Sequence, residues 1–277
     1  MAGVQSATES LAELVRLAPD VYGFRYQNYV AMFTVTDDGV ILTDPIGQGN
    51  PRTPSFIREA IRSVTDQPVR YVVYSHSAAD HATGGAVFAD TAQFVGHVKA
   101  AEKLAAAKDP TTPVPTVTFE DHMSLELGGK RLELYAADLS PTDDYLVVHD
   151  PDARVVMTVD YVQPRNVPFR TLLGHPDWMV KRLQWIEDSL DFDVLVSGHA
   201  APQMTGTRAD VREQIEYYRD LSNAVAAARA AGLADNSTEM AASVRDALAP
   251  HYGSWRRFEE FVSLNVQGMI RWRAEVP

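Results

Sequence analysis

VRYVVYSHSAADHATGGAVF, residues 69–88, is the stretch that decides the fold of this 277-residue chain. Its first part, 69–74, is apolar and rich in β-branched residues, which predicts a buried strand. A polar loop with His76, Asp80 and His81 follows, and a helix is expected to begin near Asp80. Imidazole and carboxylate groups are common ligands of first-row metals, so the loop is a candidate metal site. Taken alone, it also fits an ordinary hydrogen-bonded loop.

The spacing of these residues resembles the signature of the metallo-β-lactamase-fold superfamily, which is His-x-His-x-Asp-His followed by Gly-Gly. In this chain the segment reads His76-Ser77-Ala78-Ala79-Asp80-His81, with Gly84-Gly85 after it. The departure is Ala78, which stands at the second histidine position and has no lone pair to offer a metal. The resemblance implies an α/β fold, a four-layer αββα sandwich of the metallo-β-lactamase type.

Further landmarks of the same family follow in the expected order. Asp44 matches an aspartate that supports the metal loop from behind, which makes it a candidate for the shell around the ligands. Asp160 follows an apolar run at the position of the family's bridging aspartate. His199 matches the last metal histidine, whereas the third one falls on Leu139. The resemblance therefore implies that two histidine ligands have been lost.

Carried onto this chain, the resemblance implies one vacated and one retained metal position. The vacated position keeps His76 but has Ala78 and Leu139 in place of its other histidines. The ligands of the retained position would be Asp80, His81, Asp160 and His199. We expect at most one divalent ion there. Zinc is the first candidate and iron(II) or manganese(II) are the alternatives, because two imidazoles and two carboxylates suit all three metals.

The expected function is metal-dependent hydrolysis. A metal would activate water and polarise a carbonyl, and Asp80 or His76 would accept the proton. Ala78 and Leu139 would widen and dry the pocket, which favours a rather apolar ester, lactone, thioester or amide. Two alternatives stay open. One is a lyase, decarboxylase or isomerase that uses His76 and Asp80 with or without metal, and the other is a non-catalytic small-molecule-binding protein with a decayed site.

The chain divides into a core and an extension. The family pattern assigns residues 1–206 to the core, and helical spacing beyond it predicts a C-terminal extension, 207–277, packed on that core. The segment 161–178 has no clear period and is expected to overhang the site, with Phe169 and Trp178 as candidate pocket residues.

Four further residues of ligand type are expected to have other roles. His97 follows a strand and opens an Ala-rich segment, so we expect it to pack or to cap a helix. Asp138, Asp143 and Asp144 lie beside Leu139 in the sequence. We expect them to be solvated in a surface turn, and the alternative is that one of them replaces a lost ligand near the vacated position.

Composition limits the partners and the setting. The net charge of −12, from 37 acidic and 25 basic residues, disfavours nucleic acid and anionic membranes as partners. The absence of cysteine excludes a disulfide scaffold and fits a reducing cytoplasm. Leu11, Leu14, Val15 and Leu17 predict a short amphipathic helix and not a signal peptide. We expect a cytoplasmic protein with a small-molecule substrate, and the oligomeric state, a homo-oligomer included, stays open.

Overall fold

Apolar strands in the middle of the chain pair into two sheets. The structure, a computed structural model, describes residues 12–48, 50–140, 143–200 and 203–275. The first sheet contains, in spatial order, β1 (Ala12–Ala18), β2 (Val21–Tyr26), β3 (Tyr29–Thr36), β4 (Gly39–Thr43), β5 (Val69–Val73), β6 (Gln93–His97) and β7 (Val117–Phe119). The pairs from β1 to β4 are antiparallel, and those from β4 to β7 are parallel.

The second sheet runs in the spatial order β13, β12, β11, β10, β9 and β8. Its strands are β8 (His122–Leu127), β9 (Lys130–Ala136), β10 (Leu146–Asp150), β11 (Val155–Val159), β12 (Val194–Ser197) and β13 (Thr205–Gly206). Among these six strands, β11 and β12 form the parallel pair, because the helix Pro176–Ser189 crosses between them. The helices are α1 (Thr53–Arg62), α2 (Ala79–Ala82), α3 (Val98–Ala107), α4 (Pro176–Ser189), α5 (Arg208–Ala230), α6 (Thr238–Tyr252) and α7 (Phe258–Glu275).

Alternation along the strands produces the four layers. On β3, Val30 and Met32 point into the core between the two sheets, whereas Ala31 and Phe33 pack towards the side of α1. On β11, Val155 and Met157 point into the inter-sheet core. Successive side chains of a strand point to opposite faces, so strands that are apolar on both faces must be covered on both. This arrangement is the αββα sandwich predicted from the sequence.

The helices after β13 pack on the outer face of the second sheet. Val211 and Leu221 of α5 and Val266 of α7 belong to the same buried cluster as Val147 of β10 and Val156 of β11. One continuous apolar cluster therefore joins the extension to the second sheet. None of the described helices is long and apolar enough to cross a membrane.

Two local expectations need correction. The predicted N-terminal helix is wrong where the structure describes it, because Leu14, Val15 and Leu17 lie on β1, and Leu11 lies outside the described residues. The sequence also predicts a meander of three strands over 116–119, 124–127 and 131–135, but the first of them, β7, pairs with β6 in the other sheet. The expectation for His97 is confirmed, since its Nδ1 accepts a hydrogen bond from the backbone N–H of Lys99 at the start of α3.

Candidate metal centre

Four strands end at one edge of the sandwich and bring the candidate ligands together there. In the first sheet β4 and β5 are parallel neighbours, and in the second β11 and β12 are parallel neighbours. The residues that follow these strands are Asp44 after β4, His76, Asp80 and His81 after β5, Asp160 after β11 and His199 after β12. The carboxyl ends of parallel neighbours lie at the same edge of their sheet. The first sheet supplies four of the six side chains at this edge of the sandwich, and the second sheet supplies the other two.

Three ligand atoms form a triangle of the size that a metal ion requires. Asp160 Oδ1 lies 3.0 Å from His199 Nε2 and 3.2 Å from His81 Nε2, and the two imidazole nitrogens are 3.4 Å apart. Ligand atoms about 2.0–2.1 Å from a tetrahedral ion are separated by about 3.3–3.4 Å. Asp80 Oδ2 lies 3.8 Å from both imidazole nitrogens. The donor set therefore fits one divalent ion, with Asp80 at the widest spacing.

Unpaired buried atoms in this cluster support the same interpretation. His76 Nε2 and Asp160 Oδ1 are buried and make no hydrogen bond of acceptable geometry with the described residues. His76 Nε2 lies 3.5 Å from the other oxygen of Asp160, and its ligand atom is within 4.8 Å of those of Asp80 and His81. A buried polar atom without a partner is costly, and a metal ion removes that cost.

Asp44 and Ser75 orient two of the histidines. Asp44 Oδ2 is 2.9 Å from His81 Nδ1 and accepts a hydrogen bond from Ser75 Oγ at 2.6 Å. The hydroxyl oxygen of Ser75 then accepts from His76 Nδ1 at 3.0 Å. In both histidines these contacts hold a proton on Nδ1, so Nε2 is the atom directed at the cluster, and it can bind a metal once it carries no proton. A carboxylate behind a ligating imidazole is typical of metal sites.

Asn28 determines the tautomer of His199. The amide nitrogen of Asn28 lies 3.0 Å from His199 Nδ1, while its amide oxygen is buried without a hydrogen-bond partner among the described residues. Turning the amide by 180° gives the Nδ1 proton of His199 an acceptor and leaves Nε2 free to bind a metal. The turn with Asn28 is held against this loop by backbone bonds from Ala200 to Asn28 and from Val30 to Gly198.

The backbone around the cluster is strained. Val159, directly before Asp160, has a φ of 51°, and Asp44 has a φ of 63°. Positive φ is rare for non-glycine residues and a clear outlier for a β-branched one, and such strain concentrates at functional sites. Gly198 allows close approach, because a Cβ there would lie 2.8 Å from His81 Cε1. The loop with His199 can therefore reach His81 only with glycine at this position.

The charges in the metal-free cluster follow from burial and from close partners. Burial raises the pKa of Asp160, but the His81 imidazole and the close His199 imidazole hold it well below its usual range. Burial lowers the pKa of His81, but the carboxylates of Asp160 and Asp44 outweigh burial and hold it well above its usual value. For His76, burial prevails and lowers the pKa. Near neutral pH, His81 is therefore a cation, Asp160 an anion and His76 neutral.

Zinc uptake by the metal-free protein should release a proton. His81 must lose its proton before Nε2 can bind, so the apparent zinc affinity should rise about tenfold per pH unit below the raised pKa of His81 and level off above it. Calorimetry in buffers of different ionisation enthalpy measures the number of protons released, which we expect to be about one near pH 7. An affinity that does not change between about pH 6 and pH 8 would contradict this charge assignment.

His76 and the two positions expected to lack a histidine ligand pack against protein. The Tyr145 ring stacks on His76, with ring centroids 4.2 Å apart. Leu139 is fully buried in the cluster between the second sheet and the helices, and Ala78 directly precedes α2, where its carbonyl accepts from the His81 N–H at 3.1 Å. Among the described residues, no further imidazole joins the two groups of candidate ligands.

The expected solvation of Asp143 and Asp144 is wrong. Asp143 is buried and accepts hydrogen bonds from the backbone N–H groups of Leu139, Ser140 and Tyr145. Asp144 is buried too, accepts from the backbone N–H of Ser77 and binds Lys103 Nζ, both at 2.9 Å. Asp143 therefore holds its own segment together, and Asp144 connects that segment to the motif loop. Asp138 is exposed and pairs with Arg182.

A cavity of about 180 Å³ opens onto the cluster. Asp80, Asp160 and His199 face it, whereas His76 and His81 lie behind them. Its apolar lining consists of Tyr29, Val167, Phe169, Leu173 and Phe261. Phe169 therefore lies at the cavity, as expected, and 42% of its surface is exposed. Trp178 does not, because it lines a separate surface hollow with Trp185 on α4.

The loop over the cavity is fixed by a residue of the C-terminal helices. Asn265 of α7 is fully buried and accepts a hydrogen bond from the Tyr217 hydroxyl at 2.7 Å. Its amide nitrogen donates to the carbonyls of Pro168 and Arg170. The sequence gives no signal for this contact, or for those of Asn28 and Tyr145, because each partner is far away along the chain.

Comparison with known proteins gives a family match and a related sequence. Residues 22–199 match the metallo-beta-lactamase superfamily. The chain is 25% identical over 240 residues to the 2,4-dinitroanisole O-demethylase subunit alpha of Nocardioides sp. strain JS1661, which covers 83% of this chain and 70% of that protein.

Solved structures share the fold. The stereoselective inverting sec-alkylsulfatase Pisa1 from Pseudomonas sp. superimposes with a TM-score of 0.71 at 17% identity, covering 96% of this chain and 50% of that one. A metallo-beta-lactamase from Pontibacter korlensis gives 0.63 at 19% identity, covering 75% and 99%. This chain thus spans half the length of the sulfatase, and at these identities the likeness extends to the fold alone.

Proposed function

The chain belongs to the metallo-beta-lactamase superfamily. On this basis we propose that it is a hydrolase that uses one divalent metal ion, with zinc as the first candidate. The residues proposed to hold the ion are Asp80, His81, Asp160 and His199. The proposed substrate has a rather apolar ester, lactone, thioester or amide bond, since the cavity beside the retained ligands has one apolar wall, formed by Val167, Phe169, Leu173 and Phe261.

The observation that carries the proposal is the convergence of Asp160 Oδ1 with the Nε2 atoms of His81 and His199, at 3.0 to 3.4 Å from one another. Imidazoles oriented from behind and a buried oxygen without a hydrogen bond are what a metal centre needs and what a decayed site has no reason to keep. Leucine and alanine at the vacated position support one ion over two.

The protein's own groups have separable roles in this proposal. When bound, a divalent ion supplies Lewis-acid polarisation and lowers the pKa of water. Asp80 faces the cavity with its side chain 26% exposed, so it is the group that accepts the proton. His76 lies behind Asp160 under the Tyr145 ring, and we assign it a positioning role through that carboxylate.

The cavity limits the size of the substrate. An enclosed apolar cavity of about 150 Å³ holds benzene, so a cavity of 180 Å³ accommodates one ring or a short branched chain. Val167, Leu173 and Phe261 exclude water from the reacting bond and favour an apolar acyl or aryl group.

A second candidate is hydrolytic cleavage of an activated aryl ether. The observation that favours it is the relationship to a protein named for the O-demethylation of 2,4-dinitroanisole. In that reaction water would be consumed, one C–O bond would break, and a phenol and an alcohol would form. The same cavity and the same ligands would serve both reactions.

Zinc content and isotope incorporation test the proposal together. Phenyl esters, a lactone, an aryl amide and 2,4-dinitroanisole are offered to the zinc-loaded protein in H₂¹⁸O. We expect about one zinc per chain, turnover that chelation removes and zinc restores, and a single ¹⁸O in the products. Asp80→Asn should lose turnover, while Asp191→Asn, on the exposed surface, should keep it.

Two results would overturn the proposal. Less than about a tenth of an equivalent of zinc after loading would mean that the ligand set does not bind metal. Product without ¹⁸O would mean that water is not a reactant, and would leave a lyase, decarboxylase or isomerase that uses Asp80 and His76.

A further inference from the structure

Two arginines line the cavity and have no part in the metal centre. Arg256 and Arg257 lie in the turn that leads into α7, outside the segment that matches the superfamily. They face the same cavity as Asp80, Asp160 and His199. The C-terminal helices thus supply two cations to a site whose ligands come from the core.

The charge of Arg256 has no close counter-charge among the described residues, and that of Arg257 has a distant one. No described carboxylate forms an ion pair with the Arg256 side chain. Arg257 pairs with Glu260, but its Nε lies 3.7 Å from the carboxylate oxygen, which is beyond the usual charge-assisted hydrogen bond of about 2.7–2.9 Å. In a chain with a net charge of −12, this cavity therefore brings together two guanidiniums of which one is paired only at long distance and the other has no described partner.

The backbone holds this arginine pair in place. The N–H of Arg256 donates to the Arg165 carbonyl at 3.0 Å, and its own carbonyl accepts from Val167 at 3.2 Å. The two bonds join the turn to the loop over the cavity. Arg257 has a φ of 62°, a left-handed conformation that non-glycine residues rarely adopt, and its guanidinium lies 5.1 Å from the centre of the Phe261 ring. Such strain persists where the surrounding structure imposes it.

We propose that Arg256 and Arg257 form an anion subsite, and that the substrate is a small apolar compound that carries one carboxylate or an oxyanion of similar size. This inference rests on the proposed function, because it assigns the substrate of that same cavity. The uncharged scissile bond lies at Asp80 and Asp160, the apolar part lies against Leu173 and Phe261, and the anionic group lies on the guanidiniums. Planar guanidinium groups bind carboxylates through paired N–H donors.

The charge balance of the cavity favours an anion over a cation. Asp80 and Asp160 are the two carboxylates among its lining residues, and a divalent ion held by them neutralises both. The guanidiniums then leave the cavity with a positive charge, which repels cationic ligands and attracts anionic ones. Because the metal also attracts anions, the test must separate its contribution from that of the arginines.

Calorimetry with a matched pair of probes makes this separation. 4-Nitrobenzoate and 4-nitrobenzamide have nearly the same shape and differ in charge. Both are titrated into zinc-loaded and metal-free protein, using the unmodified chain, Arg256→Gln/Arg257→Gln, Arg256→Lys/Arg257→Lys, and Arg245→Gln as a control on the exposed face of α6. The melting temperature and the zinc content of each variant show whether it is folded and loaded.

We expect the unmodified protein to bind 4-nitrobenzoate at least about tenfold more tightly than the amide, with or without zinc. The double variant Arg256→Gln/Arg257→Gln should lose this preference for the anion. Arg256→Lys/Arg257→Lys should keep part of it, and Arg245→Gln should keep all of it. Equal binding of the two probes, no binding of either, or a preference that survives in the Gln pair would overturn the subsite. A preference that requires zinc and is unchanged when both arginines are replaced would mean that the anion binds the metal. That result would overturn the subsite as well.

These measurements distinguish a failure of the anion subsite from a failure of the proposed function. A charge preference without zinc binding or hydrolysis would leave the anion subsite in place and contradict the proposed function. Hydrolysis of neutral esters without any charge preference would support the proposed function and contradict the subsite.

Discussion

Replacing Asp160 by alanine is expected to weaken zinc binding by more than about 100-fold, beyond the roughly 10- to 100-fold typical of residues that only support a ligand. Asp160 Oδ1 lies 3.0 and 3.2 Å from the two imidazole nitrogens of the candidate centre, and its other oxygen faces His76. No other described carboxylate reaches all three histidines at these distances. Turnover should fall with the metal.

Competition with a chromophoric zinc chelator measures the affinity, and elemental mass spectrometry after dialysis measures the content. Asp191→Ala is the matched control, because Asp191 is exposed and its carboxylate pairs with Arg154 at the surface. If Asp160→Ala kept about one equivalent of zinc with unchanged affinity, the ligand set would be wrong.

Replacing Asp44 by alanine is expected to lower the free energy of unfolding of the metal-free protein by about 3–5 kcal/mol, the usual cost of removing one partner of a buried ion pair. Asp44 is fully buried and accepts from the Ser75 backbone, the Ser75 hydroxyl and His81. Without it, the charged His81 loses one of its two carboxylates, and two buried donors lose their acceptor.

Urea denaturation of the metal-free variants checks this value. Asp44→Asn keeps the shape but brings an amide to the Nδ1 of His81, so we expect it to fold and to bind zinc about 10- to 100-fold more weakly. Asp38→Ala, at an exposed turn of the same sheet, is the control and should stay within about 0.5 kcal/mol of the unmodified protein. A loss below about 1 kcal/mol for Asp44→Ala would contradict the assigned network.

Elements with a strong local pattern were predicted correctly. The run 69–74 forms β5, and the polar loop after it begins the short helix α2 at Ala79. The failure at β1 has a local cause: Leu14, Val15 and Leu17 fit a short helix by spacing, but pairing with β2 supplies the strand with hydrogen bonds that a short isolated helix lacks.

Predictions about individual side chains failed where burial depends on distant packing. Asp143 and Asp144 sit in a sequence that is typical of a surface turn, yet both are buried, because Asp143 accepts hydrogen bonds from the backbone of its own segment and Asp144 accepts from the motif loop at Ser77. Trp178 was expected at the cavity, but the first turn of α4 directs it to another surface. A helix begun one turn earlier or later would direct it elsewhere, and sequence spacing does not define that rotation.

The sequence by itself determined the layered α/β fold and the types of residue available for chemistry, because strand alternation and motif spacing are local properties that few folds satisfy. The tertiary structure alone decided which of those residues meet. Asn28 reaches His199 across 171 positions, Asn265 holds the loop at Pro168 across 97, and Arg256 comes to face Asp80. Such contacts depend on how the sheets and helices pack on one another, a property of the whole core that no stretch of sequence carries.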